Sequence, residues 1–340
     1  MCDCLVALPR ATAEGRTIFA KNSDRPPDEP QRIEWLPPQH EEGPVRATHI
    51  EIEAADTDTV GALVSRPWWL WGVEHGVNEA GVAIGNETIF TTLDPRSASP
   101  ALVGMDLVRL GLQRATTARA ALEVMVGLLE RYGQGGSGHV NVERPYWSSF
   151  LVADPAEAWV LETSGTAWAA EWVGGTRAIS NRTTIPAFDA EHRHPGQPVA
   201  TLVDPRLEAS RTLLAAEPVE LDAVKAHLRS HVGHEGYSVC MHVPGVEATT
   251  ASLVAELPSG PRPRASVLLG SPCTSVFVPL FVGRPLGKPV EWERFVGLQP
   301  HHRDRLDALE VELLADAMDD DEWNAEAWRR VEECIGSLGV

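Results

Sequence analysis

The sequence has no run of basic residues. Its 29 Lys and Arg are set against 48 Asp and Glu over 340 residues, a formal charge of −19. Phosphate backbones are held by clustered cations, so nucleic acid is not an expected partner, and an anionic membrane surface is disfavoured for the same reason. No apolar stretch approaches the ~18 residues of a spanning helix. The opening residues, Met1 to Arg10, have neither a basic n-region nor a long apolar h-region, so no secretory leader is expected. Cysteine is scarce, with five residues, an odd number. This argues for reduced thiols in a cytoplasm and against a disulfide framework.

What is present is ordinary globular material: 43% hydrophobic and 23% charged residues, long enough to bury a sizeable core. Tryptophan is frequent at 11 and clusters at Trp68, Trp69 and Trp71 and again from Trp147 to Trp172. Short β-prone segments occupy the first ninety residues: Cys4 to Leu8, Arg16 to Ala20, an alternating Thr48 to Glu53, Val60 to Val64 and Val82 to Ile84. Two amphipathic helices follow. Met105, Val108 and Leu112 mark the first. Leu122, Met125, Val126 and Leu129 mark the second, with a cap at Thr116-Thr117 and a stop at Gly133. Strands resume at Ser149 to Ala153, Ala158 to Glu162, Ala167 to Trp172 and Arg177 to Ser180, with hairpin-like spacing that implies antiparallel pairing. Residues 186–205 read as a Pro-rich excursion loop. A helix at Leu221 to Leu228, three strands between Ala251 and Val282, and two terminal helices complete the chain. No repeat or linker interrupts it. The expectation is one α+β layered domain over 1–340, with 300–340 a helical extension.

Cys2 is the residue most informative about chemistry. It follows Met1 directly, and removal of Met1 would make it the N-terminus. A terminal Cys carries its own base, the α-amino group, whose ordinary pKa is about 8. The thiol is intrinsically nucleophilic, so no separate His is required. Lys21-Asn22-Ser23-Asp24-Arg25-Pro26 then forms a polar knot at the end of an expected strand, with a carboxylate to hold an amine and cations to lower a thiol pKa.

These segments, with Glu29 and Gln31, together resemble the opening of the secernin family, which is grouped with the C69 dipeptidases. The resemblance extends to Ser65-Arg66-Pro67-Trp68-Trp69-Leu70-Trp71-Gly72 and Asn78 to Glu87. It continues through Leu102 to Leu112, Tyr132 to Gly136, Glu157 to Thr163, Ile179-Ser180-Asn181 and Thr249 to Ser252. It implies an N-terminal-nucleophile (Ntn) hydrolase fold, a four-layer α/β/β/α sandwich of antiparallel sheets. It also implies amide hydrolysis through an acyl-enzyme on Cys2, with neither metal nor organic cofactor. Position by position, Asp24 would orient the amine and thiol. Lys21 stands where the related choloylglycine hydrolases have an arginine. Asn86 and Asn181 would be oxyanion donors. No counterpart of those relatives' late arginine is evident, and Thr249 to Ser252 is the candidate to replace it. Asn22 beside Lys21, with Arg66, Trp68, Trp71 and Glu74, is the expected substrate lining.

The expected function is a cytoplasmic dipeptidase acting on a small peptide or amide, with a homo-oligomer possible. The alternatives are an N-acyl amide or lactam hydrolase of the same mechanism and a non-catalytic binding protein of the same fold. Cys4 lies on the same strand face as Cys2 and is a neighbour in the site, a resolving thiol or core. Cys240-Met241-His242, with His231 and His234, matches no zinc spacing and reads as satisfied or surface side chains. The Gly-rich segment 133–138 lacks the Lys-Ser/Thr of a P-loop.

Overall fold

The computed structural model describes residues 1–339. Fourteen strands and six longer helices define the architecture. The strands are β1 (Cys2–Ala7), β2 (Thr17–Arg25), β3 (Gln31–Leu36), β4 (Ala62–Pro67), β5 (His75–Asn78), β6 (Ala83–Ile89), β7 (Trp147–Ala153), β8 (Ala158–Ser164), β9 (Ala167–Val173), β10 (Thr176–Ile179), β11 (His242–Val243), β12 (Glu247–Leu257), β13 (Arg264–Leu269) and β14 (Val278–Phe281). The helices are α1 (Gly104–Arg114), α2 (Ala118–Tyr132), α3 (Asp204–Ala215), α4 (Leu221–Leu228), α5 (Arg303–Asp316) and α6 (Trp323–Ser337).

One sheet runs β10-β1-β2-β12-β13-β14, with β11 also on β12. The other runs β9-β8-β7-β6-β5-β4-β3. All their pairings are antiparallel. The period-two alternation of strands assigns the faces. Cys4 and Val6 of β1 and Phe19 of β2 point into the space between the sheets, against Leu63, Val77, Ala83 and Leu151 of the second sheet. Leu5, Ala7, Ile18 and Ala20 point the other way, under Leu207 and Leu214 of α3 and Val224 and Leu228 of α4. On the far side Val64, Ile84 and Phe150 pack under Leu107, Val108 and Met125 of α1 and α2. The result is four layers, α/β/β/α, as the resemblance implies.

Local signals explain most elements. Thr117 accepts the Ala120 N–H at 3.1 Å and starts α2. Gly133 stops it with φ 75°, a conformation open to glycine. The terminal helices join the inter-sheet core through Leu306, Leu313, Trp328 and Ile335. Asn324 brackets the backbone of Phe281 from both sides, its Oδ1 accepting at 2.9 Å and its Nδ2 donating at 3.0 Å. That side chain blunts the open edge of β14.

The structure corrects three expectations. The second strand does not stop at Ala20 but runs to Arg25, every residue buried. The polar knot is therefore a strand interior. Thr48 to Glu53 yields only Glu51–Ile52, paired with Val45–Arg46. The segment 186–205 is not a bare loop. It contains the helices Pro186–His192 and Val199–Leu202 and ends in α3.

Gly85 of β6 lies close against β1 and β2 across the space between the sheets. A Cβ there would lie 2.8 Å from both Cys4 Sγ and Lys21 Cδ. Gly85→Ala is therefore expected to destabilise the fold by about 1–3 kcal/mol through overpacking, read as a lower midpoint in urea unfolding at an unchanged slope.

Candidate active site

Cys2 opens β1 opposite Ser23 of β2, at the mouth of the space between the sheets. Its backbone N–H donates to Asn181 Oδ1 at 2.9 Å, just beyond β10. Its Sγ accepts the Asp24 N–H at 3.4 Å. Burial pushes the thiol up to about 12, while Lys21 and the N-terminal ammonium pull the other way. Burial thus favours the neutral thiol over the thiolate.

Asp24 sits at the end of β2. Its Oδ1 accepts from Thr249 Oγ1 at 2.6 Å. Its Oδ2 has no hydrogen-bond partner among the described residues. Burial moves this carboxyl well above the ordinary range, opposed by the N-terminal ammonium and by Arg206. Arg206 comes from α3 and is fully buried. Its guanidinium reaches Asp3 Oδ2 at 2.6 Å and Asn181 Oδ1 at 2.9 Å. The α-ammonium of Met1 is paired with Glu247 and lies 3.5 Å from the Asp24 carbonyl oxygen.

Below Cys2 runs a buried chain of charges. Lys21 Nζ donates to the carbonyl oxygens of Glu74 at 2.8 Å and Asn86 at 2.5 Å, and lies 3.3 Å from Glu74 Oε2. Burial alone would lower the pKa of this lysine, but Cys2 and Glu74 more than offset it and its pKa rises. Glu74 also accepts from Ser23 Oγ at 2.9 Å and lies 3.3 Å from Arg25. Burial would raise the Glu74 carboxyl, yet Lys21, Arg25 and that hydroxyl hold it at about 2. Arg25 in turn grips Glu29 with two nitrogens at 2.5 and 3.0 Å, and Trp69 Nε1 donates to Glu29 at 2.8 Å.

The fold thus brings Cys2, Lys21, Asp24, Asn86, Asn181 and Glu74 together. A small cleft with Met1 and Cys2 on its wall is also lined by Glu247, Arg144, Tyr146 and His139. The fold does not bring the remaining expected residues to it. Asn22 points to the opposite face of the sheet, where its amide donates to the Leu228 and Val239 carbonyls at 2.9 and 2.7 Å and accepts from Ser252. Strand alternation forces this, since Lys21 and Ser23 take the inner face. Arg66 is held by Glu34 at 2.8 and 2.9 Å and by the Leu70 carbonyl at 2.6 Å. Trp71 lies under the Arg109 guanidinium, 4.1 Å from it. Trp68 is exposed and lines a separate groove with Gln31 and Trp292.

Asn181 presents its carbonyl oxygen, not its amide N–H, to Cys2, and its Nδ2 donates to the Thr88 carbonyl at 2.9 Å. Among the described residues, Asn86 Nδ2 donates only to Met105 Sδ, at 3.6 Å. Cys4 is on the Cys2 face but sealed, and burial holds its thiol well above the ordinary range.

Sequence reading missed Arg206, Glu247 and Arg144. Arg206 carried a signal: Asp204-Pro205 just ahead of it is a helix start with Pro in the first turn. Glu247 carried none, being one acid at the head of a long strand. Cys273 was missed as well, as the fourth member of a gathering whose other three residues the sequence reading named and set aside. His231, Cys240, His242 and Cys273 place one ligand atom each within 4.8 Å of one another, although their spacing matches no metal motif.

Two antiparallel sheets packed face to face between helices, with a cysteine opening the first strand, define an Ntn-hydrolase-type amidase fold. Penicillin V acylase from Agrobacterium tumefaciens superposes with a TM-score of 0.50 at 14% identity, over 84% of this chain and 87% of that one. A mutant conjugated bile acid hydrolase from Clostridium perfringens does so at 0.54 and 11%, over 83% and 92%. The family model of peptidase family C69 matches residues 1–203. The chain belongs to peptidase family C69, and its class is a cysteine amidohydrolase acting on C–N bonds.

Glu87 is fully buried behind the site, where its carboxyl meets the Cys4 thiol. Burial pushes it up to about 8 from an ordinary value of 4.5, against the pull of Lys21. A raised carboxyl pKa means the folded state binds the extra proton, so stability is full below 4.5 and lost as pH rises through about 8. Glu87→Gln should flatten the fall of unfolding free energy between pH 4.5 and 8, removing a slope of at most about 1.4 kcal/mol per pH unit. Urea titrations across that range check it.

Proposed function

We propose that this protein is a cytoplasmic dipeptidase whose nucleophile is the mature N-terminal Cys2. Removal of Met1 would leave the Cys2 α-amine beside Asn181 Oδ1, with the free Oδ2 of Asp24 available to orient it. The amine takes the thiol proton and Sγ attacks the substrate carbonyl carbon. Asn86 Nδ2, now on a weak sulfur contact, turns to the oxyanion. The tetrahedral species collapses to a thioester, and the ammonium gives its proton to the departing amine. Water, deprotonated by the same amine, then releases the acid and restores the thiol. Lys21 acts as a fixed point charge that favours the thiolate, and Arg206 holds Asn181 and Asp3 in place. Glu74 anchors Lys21 and Arg25.

The observation that supports a dipeptide over an N-acyl amide is the seat of the Met1 ammonium on Glu247. An aminoacyl group on Cys2 Sγ differs from one on Cys2 N only by the reach of the cysteine side chain. Its α-ammonium would fall within range of the same carboxylate. Arg144, exposed at the cleft rim, is the cation for the substrate's C-terminal carboxylate.

The test starts with an intact mass of protein expressed without an N-terminal tag, which should be one methionine short and begin at unmodified Cys2. Cys2→Ser should then lower kcat on dipeptides by at least about a hundredfold, and Cys4→Ser should leave it within a few fold. Retained Met1 in active enzyme would sink this mechanism. For substrate class, Glu247→Gln should raise KM for dipeptides by about 10–100-fold, the worth of a charge-assisted hydrogen bond. It should leave N-acetylated amides, which lack the ammonium, unaffected. Faster turnover of N-acyl amides than of dipeptides by the unaltered enzyme would favour the acylase alternative.

A further inference from the structure

The cluster of His231, Cys240, His242 and Cys273 lies outside the cleft and takes no part in the chemistry above. Three of its members come from the segment between α4 and β12, and the fourth from the turn between β13 and β14. His242 Nε2 is 3.3 Å from Cys240 Sγ and 3.2 Å from Cys273 Sγ. The imidazoles of His231 and His242 meet edge to face, with centroids 5.1 Å apart. Both cysteines are free. Two sulfurs and two ring nitrogens converging on one point is an uncommon arrangement without an ion at its centre.

We infer that these four side chains form a structural zinc site. Zinc bonds to sulfur at about 2.3 Å and to imidazole nitrogen at about 2.0 Å, so the edges of its tetrahedron run about 3.3–3.8 Å. The two sulfur–nitrogen distances already fall at that scale, and the widest separation of 4.8 Å closes with shifts of about 1 Å. Thiolate and imidazole together select zinc over hard cations such as magnesium or calcium. Two cysteines release their protons on binding, and Zn²⁺ with two thiolates and two neutral imidazoles is electrically neutral. Four protein ligands leave no open position, which makes the site structural and not catalytic.

The ion would staple two segments that flank Thr249. Met241, between the two ligands Cys240 and His242, donates its N–H to Thr249 Oγ1 at 2.8 Å and accepts the Thr249 N–H at 3.1 Å. From the other side Ser271, two residues before Cys273, donates to the Thr249 carbonyl at 3.1 Å. Thr249 is the residue that bonds Asp24.

The full-length protein, purified in reductant without added metal, should carry about one zinc per chain by elemental analysis. Cobalt substituted for zinc should show visible bands of tetrahedral intensity and a thiolate-to-cobalt charge-transfer band. Cys273→Ser and His231→Ala should each lower zinc retention by at least about tenfold. Cys334→Ser, a cysteine remote in the terminal helix, should retain it. Loss of zinc should raise amide exchange across residues 229–243 in a protein whose circular dichroism is otherwise unchanged. Absence of zinc uptake by the reduced protein overturns the inference, as does uptake unaffected by Cys273→Ser. A Cys240–Cys273 disulfide in protein purified under reductant also overturns it. These readouts do not depend on turnover, so they are decided separately from the role of Cys2.

Discussion

The buried charge chain Lys21–Glu74–Arg25–Glu29 is the constraint on which the rest of the site depends. Taking two cations and two anions out of water is expensive, and only near-complete hydrogen bonding recovers it. Here the recovery comes from both sheets. Lys21 and Arg25 belong to one sheet, and Glu74 leads into the facing strand of the other. The Lys21 ammonium is held by backbone carbonyls of residues 74 and 86. A shift of either sheet by one residue would leave a buried charge without a partner. Register is thereby fixed where a catalytic geometry must be kept, and the glycine at position 85 gives the lysine stem room to pass.

The same chain sets the electrostatics around Cys2. Low-dielectric surroundings favour the neutral thiol, and a single fixed cation beneath it lowers the cost of the thiolate without removing it. A nucleophile in that condition is quiescent until a base arrives. Nothing in the cleft supplies a histidine at hydrogen-bonding distance from Sγ among the described residues. His139 is pushed down to about 3 by burial and by Arg25 and Arg144, which leaves it neutral but gives it a poor affinity for a proton. In the proposed mechanism that base is the α-amine of Cys2, free once Met1 is removed.

Much of this was legible in the sequence, for physical reasons. The period of two put Cys2 and Cys4 on one face, apolar periodicity marked both long helices of the outer layer, and capping residues bounded the second. What misled was polarity. Lys21 to Arg25 looks like the end of a strand because charged residues seldom line a strand interior, yet there the charges neutralise one another. Tryptophans close in sequence looked like one lining, but Trp68, Trp69 and Trp71 go to a groove, to Glu29 and to Arg109. The Pro-rich stretch before α3 concealed Arg206, because proline both ends loops and begins helices. The Cys and His gathering was hidden by topology: residue 273 lies some thirty positions beyond its partners, and only the β12–β13 hairpin closes that distance.

Two supports brace the surroundings of Cys2, one at Asn181 and one at Asp24. From α3, Arg206 reaches Asn181 and Asp3. From the segment before β12, the backbone of Met241 fixes Thr249, which donates to Asp24 Oδ1. Neither support touches the thiol, and both lie in the part of the chain after residue 203, beyond the stretch that matches the family model. In the proposed mechanism the nucleophile Cys2, the cation Lys21 and the oxyanion donor Asn86 all fall within residues 2–181. The division is a physical one. The first part assembles Cys2, Lys21 and Asn86 on two sheets, and the second braces one face of that assembly and carries Glu247, the carboxylate paired with the Met1 ammonium.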